Sequence, residues 1–129
     1  MVFDERRGRT VIFGGTGPYR PGQRAPWRGD VWEFAGRRWR AREFANGAGP
    51  RTSPGAAYDS KRRVTVVFGG VDGSGFLGDL WAWTGVEWRK LADASAAGSV
   101  PRAMGRLAYD PRRDRVVLVG GRKDGWMVT

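Results

Sequence analysis

Two residue types are missing altogether: the 129-residue chain contains neither cysteine nor histidine. Without cysteine no disulfide framework can form. Without either residue, the usual thiolate and imidazole ligands of zinc and copper are gone. Nucleophile–base constellations built on Cys–His or Ser–His pairs are excluded for the same reason. Lysine is scarce, confined to Lys61, Lys90 and Lys123, although lysine and arginine together number 23 and the net charge is +10. No apolar run approaches the ~20 residues of a membrane helix. Met1 to Thr10 carries Asp4, Glu5, Arg6, Arg7 and Arg9, where a signal peptide needs an apolar core. These features imply a soluble chain and leave its compartment open, since lack of cysteine suits either redox environment.

The positive charge raises the question of a polyanionic partner. The arginines, however, fall in separate short segments such as Glu5-Arg6-Arg7-Gly8-Arg9, Ser60-Lys61-Arg62-Arg63 and Pro111-Arg112-Arg113-Asp114-Arg115. That distribution reads as a set of solvated turns, and nucleic acid is not the expected partner. Hydrophobic residues make up 40% of the chain and seven are tryptophan, which fits a folded domain with a substantial core.

What the chain does have is recurrence. Thr10-Val11-Ile12-Phe13-Gly14-Gly15 returns as Val64-Thr65-Val66-Val67-Phe68-Gly69-Gly70 and again as Val116-Val117-Leu118-Val119-Gly120-Gly121. An aromatic residue followed by aspartate lies eleven residues before the first glycine each time: Phe3, Tyr58 and Tyr109. Asp30 to Trp39 and Asp79 to Trp88 both span nine, whereas the loops between blocks differ, fifteen residues from Gly15 to Asp30 against nine from Gly70 to Asp79. Rigid strand blocks with variable loops mark a structural repeat. The period is 55 and then 51 residues, dividing the chain near 1–49, 50–100 and 101–129, the last copy incomplete. Each full copy reads as four short strands separated by glycine-bearing turns, so the expected fold is all-β.

The residues that recur resemble the Kelch pattern. A tyrosine-bearing first strand (Tyr58), a second strand ending in Gly69-Gly70, an acidic-aromatic third strand (Asp79, Trp81, Trp83) and a fourth bearing Trp88 are in that order. Pro50-Arg51 and Pro101-Arg102 match the lead-in to a following repeat. The resemblance implies a Kelch-type β-propeller, of a kind common in bacterial secreted proteins, with about two and a half four-stranded antiparallel blades. Propellers close with about 4–8 blades, so the expectation is either a fragment of a longer propeller or copies that self-associate through exposed terminal blades.

Physical reasons for the pattern are available strand by strand. Val64 to Phe68 is apolar on both faces, the mark of a strand covered from both sides. The glycine pair permits positive φ and close backbone approach, and is expected to end the strand in a sharp turn. Trp39 and Trp88, in register, are read as packing between neighbouring sheets. Asp4, Asp59 and Asp110, like Asp30 and Asp79, are read as strand-end turn formers.

Chemistry is harder to find. Gly73-Ser74-Gly75-Phe76-Leu77-Gly78 has dinucleotide-fingerprint spacing, but the strand pattern of Asp79 to Trp83 follows it where a helix N-terminus is needed. Gly14-Gly15-Thr16-Gly17-Pro18 lacks the lysine and hydroxyl of a phosphate loop. A paired-carboxylate hydrolase is formally open, but the aspartates are in repeat register and no catalytic residue, metal ligand or cofactor is assigned. The repeat-breaking segment from Thr16 to Gly29 is the candidate binding element, through Tyr19, Arg20, Arg24, Trp27 and Arg28, because aromatic residues and arginine dominate interface hot spots. The alternative is a proline-pinned loop whose tryptophan covers its own sheet. The functional expectation is a non-catalytic module for a protein or carbohydrate ligand. The alternatives are a piece of a larger secreted enzyme with its catalytic residues elsewhere, and a basic binder of polyanions or nucleic acid.

Overall fold

The computed structural model describes residues 1–42, 47–93 and 100–123. Ten strands and their turns, with no helix among the described residues, form three antiparallel sheets. The first sheet contains β1 (Val2–Asp4), β2 (Arg9–Phe13), β3 (Val31–Phe34) and β4 (Trp39–Arg42), in that order. The second repeats it with β5 (Gly55–Asp59), β6 (Val64–Asp72), β7 (Gly75–Trp83) and β8 (Trp88–Ala92). The third pairs β9 (Arg106–Asp110) with β10 (Arg115–Val119). The fold is therefore all-β, with the strand order the repeat predicts; residues 124–129 of the third repeat fall outside the described residues.

The sheets stack in chain order. β1 lies against β5 and β5 against β9, so the first strands of successive repeats are neighbours. β6 is buried along seven consecutive residues from Thr65 to Val71. One of its faces, with Val67, joins Val11, Val31, Trp83 and Trp88 in the main apolar cluster between the first two sheets. Its other face, with Val66, borders Val116 of the third sheet. Burial from both sides follows from this stacking.

Register then decides the fate of each tryptophan. Trp88 packs on Phe13 of the first sheet with ring centroids 4.7 Å apart, and on Trp83 at 5.4 Å. Its counterpart Trp39 is 43% exposed and packs within its own sheet on Phe34, at 5.2 Å. The expected inter-sheet role holds for Trp88 and not for Trp39, because no preceding sheet faces Trp39 among the described residues. Val117 and Val119 at the opposite end are likewise exposed.

The glycine pairs act differently from a simple strand end. β2 and β10 stop just before theirs, but β6 runs through Gly69 and Gly70 to Asp72, with a register shift between Phe68 and Gly70. The pair forms a bulge. Its purpose is contact: Gly70 N donates to Arg102 O at 2.9 Å, and a Cβ on Gly69 would lie 2.3 Å from that same carbonyl oxygen. One repeat earlier Gly15 N donates to Arg51 O at 2.8 Å, and a Cβ on Gly14 would lie 2.4 Å from it. The glycines thus admit the lead-in of the next repeat against the end of the previous sheet.

Candidate functional site

Several sequence candidates prove to be architecture. Asp4, Asp59 and Asp110 each cap the turn after their strand. Asp4 accepts from Arg7 N, Asp59 from Lys61 N and Arg62 N, and Asp110 from Arg112 N and Arg113 N. Each also pairs with an arginine three residues on, at 2.7 to 2.9 Å. Asp30 and Asp79 depart from the turn-forming role. Asp79 lies inside β7 and accepts from Trp81 Nε1 at 2.7 Å, as Asp30 does from Trp32 Nε1 at 2.7 Å.

Arg51 is the pivot of the second repeat. It is 3% exposed, and its guanidinium donates to Asp79 Oδ1 and Oδ2 at 2.6 and 3.0 Å, to Gly69 O at 3.1 Å and to Ala48 O. Arg102 repeats part of that pattern, donating to Val100 O and Gly120 O at 3.1 and 2.9 Å. A planar guanidinium can satisfy a carboxylate and several carbonyls at once, which is why arginine occupies this position.

A second buried charge joins the first two sheets. Glu33, 1% exposed, accepts from Arg7 Nη2 at 2.7 Å, Arg9 Nη1 at 3.1 Å and, across the sheet junction, Trp83 Nε1 at 3.1 Å. Burial alone would raise its pKa, but the hydrogen bonds from Arg7 and Trp83 and the Arg7 charge hold it below the usual value. Asp79 behaves alike, its burial outweighed by Arg51 and Trp81. Among the described residues the carboxyl groups whose titration moves, Glu33, Asp79, Asp110 and Asp114, all move downward. That direction suits carboxylates fixed in ion pairs and hydrogen bonds. No cluster of three potential metal ligands occurs among the described residues.

The long segment between β2 and β3 is built differently. Thr16 bridges Trp27 and Arg20 bridges Gln23, with Gly17 N donating to Pro26 O at 2.7 Å. These contacts make a narrow two-stranded finger. Its tip is Arg20-Pro21-Gly22-Gln23, closed by Gln23 N to Arg20 O at 3.0 Å, with Gly22 at φ +77°. Proline followed by positive-φ glycine is the signature of a type II turn. Trp27 reaches the hairpin of the second repeat: a Cβ on Gly73 would lie 3.6 Å from Trp27 Cζ3.

That hairpin is the glycine-rich segment with fingerprint-like spacing. It is the turn from β6 into β7, closed by Asp72 Oδ1, which accepts from Ser74 N and Ser74 Oγ at 2.8 and 2.6 Å. Between finger and hairpin opens a cleft of about 700 Å³, with Tyr19, Trp27 and Phe76 as aromatic lining, and Arg24, Gln23, Asp72 and Ser74 as polar lining. A smaller cleft of about 300 Å³ on the finger is lined by Arg20, Arg24 and Arg28 with Gln23, Pro18 and Pro26. The two share Gln23 and Arg24. All five residues singled out in the sequence therefore line one composite surface: Tyr19 and Trp27 the larger cleft, Arg20 and Arg28 the smaller, Arg24 both. Sequence reasoning weighed Gly73 to Gly78 only as a nucleotide fingerprint and missed the role of Asp72 to Phe76 as the opposite wall, because its proximity to the finger arises only from the stacking of sheets.

The chain matches no family model and no curated protein sequence. Among the described residues no helix is long and apolar enough to cross a membrane.

Proposed function

We propose that this chain is part of a Kelch-type β-propeller and acts as a non-catalytic binding module, taking a protein or carbohydrate ligand in the cleft between the finger and the second-repeat hairpin. The propeller reading is supported by the repeated four-strand order and by the successive contacts of β1, β5 and β9. The binding reading is carried by one observation: the segment that breaks the repeat places Tyr19, Trp27 and Arg24 around a concave surface whose other wall belongs to the neighbouring repeat. Concavity, aromatic lining and a few polar groups are what a ligand site requires. The in-register residues are committed to turns and sheet junctions, which leaves this out-of-register segment for recognition.

The test is a glycan array and a displayed peptide library, each probed with the intact chain and with a Tyr19→Ala/Trp27→Ala variant. Ligands held by the parent chain and lost by the variant support the reading. Absence of any ligand that distinguishes the two chains refutes it.

A further inference from the structure

The charge and hydrogen-bonding chemistry of the composite cleft narrows the ligand class, an inference that rests on the reading of that cleft as a binding site. The larger cleft offers aromatic rings from Tyr19, Trp27 and Phe76 beside Gln23, Asp72 and Ser74, the mixture that suits a ring with one apolar face and hydroxyl groups at its edge. The smaller cleft, which shares Gln23 and Arg24 with the larger, concentrates Arg20, Arg24 and Arg28. All three arginines are exposed, and no carboxylate among the described residues is within ion-pair distance of them. Elsewhere the turn arginines Arg7, Arg62 and Arg113 are each paired with an aspartate. The finger is thus a place where arginines gather without carboxylate partners.

We infer that the composite cleft binds an acidic oligosaccharide, stacking sugar rings against Tyr19, Trp27 and Phe76 while Arg20, Arg24 and Arg28 hold a uronate carboxylate at the finger end. Arginine suits that task through its forked donors, which match a carboxylate two bonds at a time. Single-stranded nucleic acid uses aromatic and basic groups too, but carries a phosphate at every residue and favours a groove positive along its length. Here Asp72 stands on the hairpin wall and the cations are confined to the finger. Asp72 Oδ1 already accepts from Ser74, and a carboxylate retains capacity to accept from sugar hydroxyls. Charge at one end and stacking at the other distinguish an acidic sugar from a polyphosphate.

The experiment titrates the intact chain with oligogalacturonate, oligoalginate and hyaluronan oligomers, each beside its carboxyl-reduced neutral counterpart, and with single-stranded DNA. Binding is read by calorimetry and tryptophan fluorescence. At least one acidic oligomer should bind, and its neutral counterpart should bind at least about tenfold more weakly, as loss of a charge-assisted bond implies. Trp27→Ala should weaken binding of both forms, whereas the exposed pair Arg20→Gln/Arg28→Gln should abolish the preference for the acidic one and leave thermal unfolding unchanged. Equal binding of acidic and neutral oligomers, or no binding of any acidic oligomer, overturns the inference. So does DNA binding tighter than every oligosaccharide with the same Trp27 dependence. Those results leave the cleft itself intact as a binding site if a library peptide is lost on the Tyr19→Ala/Trp27→Ala change; if no ligand responds to that change, both readings fall.

Discussion

Gly69→Ala and Gly120→Ala make an internally controlled pair. Both glycines open the same Gly-Gly motif, and both have φ +68°. An L-residue held in that left-handed region costs about 1–2 kcal/mol, and this term is common to the two variants. They differ in what the new methyl group meets. At Gly120 nothing lies within 4 Å; at Gly69 the Cβ would sit 2.3 Å from Arg102 O and 3.0 Å from Leu77 O. Those atoms belong to the backbone, so relief requires the third-repeat lead-in to move away from β6. The movement disrupts the bonds from Gly70 N to Arg102 O at 2.9 Å and from Arg102 N to Leu77 O at 3.0 Å. Each is worth about 1 kcal/mol, and more where a buried partner is left unpaired. Gly69→Ala should therefore destabilise by about 3–5 kcal/mol and Gly120→Ala by only about 1–2 kcal/mol. Urea unfolding followed by tryptophan fluorescence measures the difference, and equal slopes for the two variants establish that the midpoints compare stability. Midpoints giving stabilities within about 0.5 kcal/mol of each other would refute the contact as the reason for the glycine.

Four further outcomes follow from the buried groups and the open faces. The pKa of Glu33 in the fold lies below its usual 4.5, so its ion pairs stabilise fully above that pH and are lost as pH falls through the folded value. Glu33→Gln should thus be less stable at pH 7 by about 3 kcal/mol and should show a flatter loss of stability below pH 4.5, read from urea midpoints across pH. Arg51→Met leaves Asp79 with the Trp81 donor but without its counter-charge and Gly69 O without its side-chain donor, and should cost about 3–5 kcal/mol by the same assay. Trp88→Ala should cost about 3–5 kcal/mol, whereas Trp39→Ala at its exposed counterpart should cost about 1 kcal/mol in thermal unfolding. If copies associate through the exposed face of β10, charge placed there by Val117→Lys/Val119→Lys should lower the mass read by light scattering at high concentration without lowering the melting temperature.

The strand order was legible because rigid blocks recur at fixed spacing while loops do not. Phe3, Tyr58 and Tyr109 locate the first strands, and the charged turns after them are held by the aspartates their register implied. Burial was less legible. Trp39 and Trp88 occupy the same repeat position, yet one is exposed and the other buried, since burial depends on which sheet comes before. Charge was the weakest guide. Arginine-rich turns suggested solvated side chains, and many are; Arg51 sits in an equally polar segment and is among the most buried residues of the chain. The recurrence of Pro-Arg at Pro50-Arg51 and Pro101-Arg102 was the available signal, read as a lead-in when it also marks a guanidinium donating to the carbonyl of Gly69 or Gly120. Glu33 had a signal too: it pairs with Val11 on the face buried against the second sheet, where the corresponding position in the next repeat is Ala82.

The candidate site obeys the opposite logic. Its finger could be found because it departs from the repeat, lengthening the loop between β2 and β3 and carrying aromatics and arginines that have no counterpart in the next copy. The hairpin that completes the cleft gave no such signal, because Asp72, Ser74 and Phe76 serve the turn from β6 into β7 as any hairpin would. Only stacking of one sheet on the next brings Gly73 under Trp27. The glycine at that position then acquires a meaning beyond its turn: a side chain there would meet the Trp27 ring at 3.6 Å and occupy space beside the cleft. Periodicity places the sheets and the sheets place the walls, while the chemistry facing a ligand comes from the one segment that periodicity does not govern.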